Sequence, residues 1–244
     1  MKRKIASIMA GLLSVVMLLT ISGCGIEAEN PILDADIEFI QFEEPEEGAP
    51  IATIDTTYGD ITVVLYPEEA PNAVENFLTL AQQGYYDGTC VFSLMSAPDG
   101  AFLAGTEDKK GKTATSIFDG KDFNYELSPS LWSYAGALGS ISTKDKKASS
   151  RFFIVSDGEV PQDMLDKMVE ANYPQKVIDK FAEVGGAPLY SRLYTIYGQV
   201  IDGMDVVNKI VASDKNENNV PVDDIIINTI TVGEYHREEA VASE

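Results

Sequence analysis

Asp60-Ile-Thr-Val-Val-Leu-Tyr66 runs directly into Pro67-Glu-Glu-Ala-Pro-Asn-Ala-Val-Glu-Asn-Phe77, and the change of period between the two stretches decides the fold class. The first alternates β-branched residues as a half-buried strand does. In the second, Pro71 has the φ that a first helical turn needs, Val74, Phe77, Leu78 and Ala81 recur at helical spacing, and Gly84 stops the run. Upstream, Ile51-Ala-Thr-Ile-Asp-Thr-Thr57 is another β-branched run, and Tyr58-Gly59 between the two predicts an antiparallel hairpin. Downstream, short apolar runs bounded by turn residues recur from Val91, from Ala137 to Ser142, from Phe152 to Val155, from Tyr194 to Val200 and from Ile225 to Val232. Many short strands with a helix near each end predict a mainly β, closed antiparallel barrel.

The 244 residues, 45% of them apolar, suffice for one substantial core. A net charge of -21 excludes nucleic acid as a partner, because a phosphate backbone is bound by a basic face. The single histidine, His236, lies in a charged C-terminal stretch, which removes Ser/His/Asp triads and histidine metal clusters from consideration. Cys24 and Cys90 sit in contexts too different to suggest a disulfide framework, and Cys90 reads as a small core residue. No cofactor is implied.

Lys2, Arg3 and Lys4 precede an uncharged, mostly apolar run from Ile5 to Ile21, in the order of an export signal. Ile21-Ser22-Gly23-Cys24 resembles a bacterial lipobox, which implies cleavage after residue 23, lipid on Cys24 and attachment to the extracytoplasmic face of the cell membrane. Residues 24–50 carry nine acidic and no basic side chains and read as a tether, although Ile37, Phe39, Ile40 and Phe42 could instead lie against the domain as a short strand. The folded domain is expected over 51–233 and a charged tail over 234–244. Within the domain, residues 157–188 read as a helical insertion: Met164, Leu165, Met168 and Val169 form one stripe, Val177, Ile178 and Phe181 a second, and Gly185-Gly186 ends it.

Five ordered motifs carry a family resemblance that periodicity could not supply. Pro67 to Phe77, Gly84-Tyr-Tyr-Asp-Gly-Thr89, Gly136-Ala-Leu138, Ser150-Arg-Phe-Phe-Ile154 and Tyr197-Gly-Gln-Val-Ile-Asp-Gly-Met-Asp-Val-Val207 resemble cyclophilins in identity and order. The resemblance implies an eight-stranded barrel capped by two helices, the second near Met204 to Val211. It also implies prolyl cis-trans isomerase activity on Pro-containing polypeptide clients, in a groove on the outer face.

Rotating an X-Pro bond crosses a barrier of about 18–20 kcal/mol set by amide resonance, and no bond is made or broken. An apolar pocket must grip the proline ring while a donor reaches the proline nitrogen as it loses conjugation. In cyclophilins the donor is an arginine in a Phe-His-Arg-Val-type segment. The matching segment here is Phe92-Ser93-Leu94-Met95, so Leu94 is expected where that arginine stands. By the same resemblance, Ala101-Phe-Leu-Ala-Gly105 puts Phe102 at the pocket methionine and Ala104 at the substrate-binding glutamine. Phe153 is implied at the pocket floor, Tyr194 at the pocket histidine, and Leu189 or Tyr190 near the usual tryptophan or leucine. Arg151 replaces a groove glutamine and is the candidate to supply the missing guanidinium. Catalysis is therefore expected to be weakened, and a non-catalytic module that binds Pro-containing segments is the alternative. The lysines at 109, 110, 112, 144, 146 and 147 read as solvated loops, or as a site for an anion.

Overall fold

The computed structural model describes residues 37–237. The expected signal peptide and Cys24 fall outside them, as do residues 238–244 of the expected tail.

The β-branched runs form β1 (Pro50–Thr56) and β2 (Gly59–Leu65), an antiparallel hairpin in which Asp55 faces Asp60 and Thr56 faces Gly59. Helix α1 (Pro71–Gln82) follows. Then come β3 (Ser93–Met95), β4 (Ala101–Ala104), β5 (Phe123–Asn124), β6 (Ala137–Ser140), β7 (Lys147–Ala148) and β8 (Phe152–Val155). The insertion supplies α2 (Gln162–Glu170) and α3 (Gln175–Val184), and β9 (Thr195–Asp202), α4 (Met204–Val211) and β10 (Ile227–Glu234) close the chain.

Eight strands make one antiparallel sheet in the order β10-β1-β2-β9-β6-β8-β4-β3, while β5 and β7 pair separately. The sheet curls into a half-barrel and stays open, which corrects the expected closed barrel. Its edge strands, β3 and β10, form no ladder with each other. A Cys90–Ile226 bridge and the bonds from Val91 N to Ile225 O (2.9 Å) and Leu94 N to Asn219 O (2.8 Å) span the gap. A three-residue β3 is too short to carry a full ladder.

The inner face holds the main core. Ile54, Ile61, Val63 and Leu65 of the hairpin meet Val74, Phe77 and Leu80 of α1 and Val207 and Ile210 of α4, so two helices cap the sheet as expected. The start of α1 has no cap from its own Ala70. Instead the Glu126 carboxylate accepts bonds from Asn72 N (3.1 Å), Asn72 Nδ2 (2.7 Å) and Ala73 N (3.0 Å), placing a negative charge at a helix N-terminus.

A separate apolar cluster holds the insertion. Met164, Leu165 and Met168 of α2 and Val177, Ile178 and Phe181 of α3 pack with Trp132, Tyr134 and Ile37, whereas Val169, expected on the buried stripe, is exposed. Ile37 thus belongs to the folded unit, and so does the chain that follows it. Buried Gln41 donates from Nε2 to Trp132 O (2.9 Å) and Gln199 Oε1 (2.8 Å), and its Oε1 accepts from Trp132 N (2.8 Å). Phe39 and Phe42 lie under the Lys180 ammonium at 5.2 and 4.9 Å. Of the two readings of this segment, the structure has Ile37 to Phe42 lying against the domain, as a 3-10 turn at Ile40–Phe42 in place of a strand, because three amide bonds and a buried isoleucine outweigh the acidic composition. The tail is likewise corrected at its start. Tyr235 N donates to Ala49 O (2.8 Å), and the His236 imidazole bonds Glu47 (2.7 Å).

Candidate active site

Strand β8 lies between β6 and β4, and its residues alternate strictly. Phe152 and Ile154 enter the main core; Phe153 and Val155 join a smaller cluster on the outer face. The ladder aligns Leu103, Phe153, Gly139 and Ile196 across four strands. Gly139 leaves room for the Phe153 ring: a Cβ there would lie 2.4 Å from Phe153 Cζ. Tyr190 and Tyr194 stand edge-on to Phe153 at 5.1 and 5.5 Å, and 5.5 Å from each other. These rings leave Phe153 only 1% exposed.

The hydroxyl of Tyr190 donates to Asp99 O (3.2 Å), and burial holds that phenol protonated well above its ordinary range. Asp99 itself is raised by burial, partly offset by the Leu189 N–H, and its Oδ1 is buried without a partner.

Arg151 immediately precedes β8, two residues before Phe153 and next to the inward-facing Phe152, which puts it roughly 7 Å along the chain from Phe153. Ile141 N donates to Arg151 O (3.0 Å), which places Ile141 beside it on one side. On the other side is Gly105, where a Cβ would come within 2.3 Å of Ser150 O and 3.2 Å of Arg151 Cα. Arg151 makes no ion pair among the described residues, and its Nε is buried with no hydrogen-bond partner. A buried donor left bare costs about 1–3 kcal/mol, more when charged.

Strand β3 departs from simple alternation. Phe92 N donates to Leu103 O (2.9 Å) while Ser93 stands opposite Leu103 in the ladder, so two residues face one in a β-bulge. The extra residue sends both Val91 and Leu94 into the main core and leaves Phe92 and Ser93 half-buried outside it. Leu94 is fully buried, so the outer-face position expected for Leu94 belongs to Ser93. Phe102 and Ala104 face inward too, paired with Ile154 and Phe152, and Leu103 is the β4 residue beside Phe153. The ring of Phe92 rests under the loop at Gly111, where a Cβ would lie 2.6 Å from it. Of the residues expected in the groove, the structure brings Phe153 and Tyr194 together and sets Arg151 two residues before Phe153; it adds Tyr190 and Leu103 beside Phe153, with Ser93 opposite Leu103 on β3. Leu103 could have been found from its parity with Phe153 across a regular ladder. Ser93 could not, because the bulge leaves no mark in the local sequence.

Comparison with known proteins bears on this geometry. The family model described as cyclophilin type peptidyl-prolyl cis-trans isomerase/CLD matches residues 51–232. The chain belongs to this family. The cyclophilin is 33% identical over 192 residues, 79% of its own length and 96% of the relative's, to a Staphylococcus aureus (strain USA300) protein named "Putative peptidyl-prolyl cis-trans isomerase". It is 32% identical over 206 residues to a Streptococcus pyogenes serotype M6 protein named as a putative bifunctional phosphatase/peptidyl-prolyl cis-trans isomerase, covering 43% of that relative. Among solved structures it resembles a Cryptosporidium parvum cyclophilin type peptidyl-prolyl cis-trans isomerase determined in the presence of the dipeptide Ala-Pro. The TM-score is 0.59 at 26% identity, over 75% of this chain and 98% of that one.

In this cyclophilin Phe153, Tyr190, Tyr194 and Leu103 form an apolar cluster on the outer face, and Arg151 immediately precedes the strand that carries Phe153. A planar guanidinium offers five N–H groups and stays charged at all relevant pH.

Proposed function

We propose that this cyclophilin isomerises X-Pro bonds with Arg151 as the donor to the proline nitrogen, more slowly than an enzyme whose arginine is on β3. The single observation that supports the reading is the Arg151 Nε, buried and unpartnered among the described residues, two positions before Phe153. A twisted prolyl amide is pyramidal at nitrogen and offers the lone pair that such a donor needs; the planar ground state does not. The interaction is thus made chiefly in the transition state. Loss of one preorganised donor typically lowers turnover about 10²–10³-fold. Exchange between cis and trans forms of a short prolyl peptide, followed by NMR, should fall by that factor in Arg151→Ala with the thermal midpoint little changed. Unaltered exchange in Arg151→Ala would overturn the assignment.

The export-signal order and the resemblance to a lipobox support attachment to the extracytoplasmic membrane face through lipid on Cys24, where the clients would be exported polypeptides containing proline. Metabolic labelling with a fatty acid should mark the protein and leave Cys24→Ala unlabelled; equal labelling would refute lipidation there.

A second reading, a binding module without turnover, is favoured by the closure of Phe153 beneath Tyr190 and Tyr194. Peptide binding with no acceleration of exchange would select it.

A further inference from the structure

Seven of the chain's 18 basic residues, and only three of its 39 acidic ones, fall in two short loops, 105–113 and 143–151. Both loops border the Arg151 end of the outer face. The first follows β4 directly and lies over Phe92 at Gly111; the second leaves β6 two residues beyond Ile141 and returns into β8 at Arg151. Ser150 fastens them together, since its Oγ accepts from Thr115 N (3.2 Å) and donates to Gly105 O (2.7 Å).

The cations there divide into two kinds. Lys109 pairs with Asp224, Lys147 donates to Asn124 Oδ1 (2.5 Å), and Lys146 lies over the Tyr125 ring at 5.0 Å. Lys110, Lys112 and Lys144 are exposed and make no side-chain bond or ion pair among the described residues. The local carboxylates compensate them poorly. The Asp108 carboxylate accepts from Thr113 and from the backbone N–H groups of Lys110 (2.7 Å) and Lys112 (3.1 Å), and these bonds hold its pKa far below the ordinary range. Glu107 and Asp145 are the remaining acids, both exposed. Asp108 stays ionised while it shapes a loop on which Lys110 and Lys112 are exposed, and seven cations against three carboxylates leave the two loops net positive. On a chain of net charge -21, this is a local reversal of sign at the Arg151 end of the outer face, where the Arg151 Nε has no partner among the described residues.

Resting on the reading of the groove as a prolyl-peptide site, we propose that it selects segments bearing acidic residues on one flank of the proline, the flank that reaches Lys110, Lys112 and Lys144. Opposite charge near the Arg151 end attracts such a segment, while the acidic remainder of the surface repels it, so the preference is one-sided. Each lysine is solvent-exposed and contributes modestly; three acting together give about tenfold in affinity.

The test uses the intact protein and prolyl peptides identical except for Glu or Gln at two positions before, or two positions after, the proline. Affinity is read by NMR titration at about 20 mM and about 500 mM NaCl, across which exposed charges pass from weakly to strongly screened. The expected result is about tenfold tighter binding of one Glu peptide over its Gln twin at low salt. That preference should shrink to within about twofold at high salt or in Lys110→Gln/Lys112→Gln/Lys144→Gln, with the Gln peptides bound equally by both proteins. Equal affinity of Glu and Gln peptides on both flanks overturns the proposal while leaving the prolyl site intact. So does a preference that survives in the triple variant, or a triple variant that weakens Glu and Gln peptides alike. Lysine-dependent binding to anionic phospholipid vesicles without any peptide preference overturns it in favour of a membrane surface. Failure of every prolyl peptide to bind removes the underlying site and this selectivity with it.

Discussion

Strands β8 and β3 flank β4 on the same sheet, yet only one of them keeps its alternation. In β8 every second residue returns to the same face, so Phe153 and Val155 are fixed together on the outside and Phe152 and Ile154 on the inside. In β3 the pairing of both Phe92 and Ser93 with Leu103 advances the phase by one, and Leu94 is carried into the core. A site built across both strands inherits one position from a regular rule and one from an exception, and a one-residue slip is enough to exchange inside for outside.

The largest expected effect compares the two neighbouring positions of β3. Leu94→Arg places an unpaired charge among Phe102, Ile154 and Ile225, a loss of several kcal/mol that should abolish the folded state. Ser93→Arg adds a guanidinium to the half-buried outer position; it should fold normally and raise prolyl exchange at least about tenfold by supplying a second donor. Circular dichroism with thermal melting, plus the exchange assay, checks both. A folded and active Leu94→Arg beside an inert Ser93→Arg would restore the simple alternation that the bulge replaces.

On β8 the comparison can be sharpened within a single strand. Phe153→Ala empties the space over Gly139 and beside Tyr190 and Tyr194, and should cost about 3–5 kcal/mol of stability together with peptide affinity. Phe153→Leu keeps most of that volume and should lose affinity while remaining folded. Denaturant titration alongside peptide binding separates the two.

The regular parts of the molecule were legible because their signals are local. Tyr58-Gly59 between β-branched runs gave the hairpin, Pro71 with the spacing of Val74, Phe77 and Ala81 gave α1, and two apolar stripes gave α2 and α3. Leu94, Phe102 and Ala104 were misplaced because matching by motif carries no phase, and phase in a strand is set by its partners. The fate of residues 37–50 was hidden for a related reason: acidity describes their solvent side, whereas Gln41 is held by Trp132 and Gln199, 91 and 158 residues away.

Two smaller effects probe such distant contacts. Glu126→Ala removes the charge that caps α1 from 54 residues away and should cost about 1–2 kcal/mol, read as a lower thermal midpoint, with Glu126→Gln intermediate. An unchanged midpoint would mean that Pro71 alone suffices to start the helix. The exposed Glu47–His236 pair should give the smallest signal. Its hydrogen bond raises the His236 pKa above the ordinary 6.5 and lowers that of Glu47 below 4.5. The histidine's share of stability is fully present below pH 6.5 and fades as pH rises through the elevated value; the carboxylate's is present above pH 4.5 and fades as pH falls. An NMR titration of His236 should show an elevated midpoint that returns toward 6.5 in Glu47→Gln, and an elevated midpoint that persists would sever the pair.

The clasp at Gln41 also determines how the molecule bears load. Tension on the chain upstream of Ile37 arrives first at three parallel amide bonds and at two aromatic rings held beneath Lys180, well before it reaches β1. Because Gln199 lies on β9, the clasp hands part of that load to the middle of the sheet and part to the backbone at Trp132, so residues 37–49 are tied to the domain at two points ahead of β1.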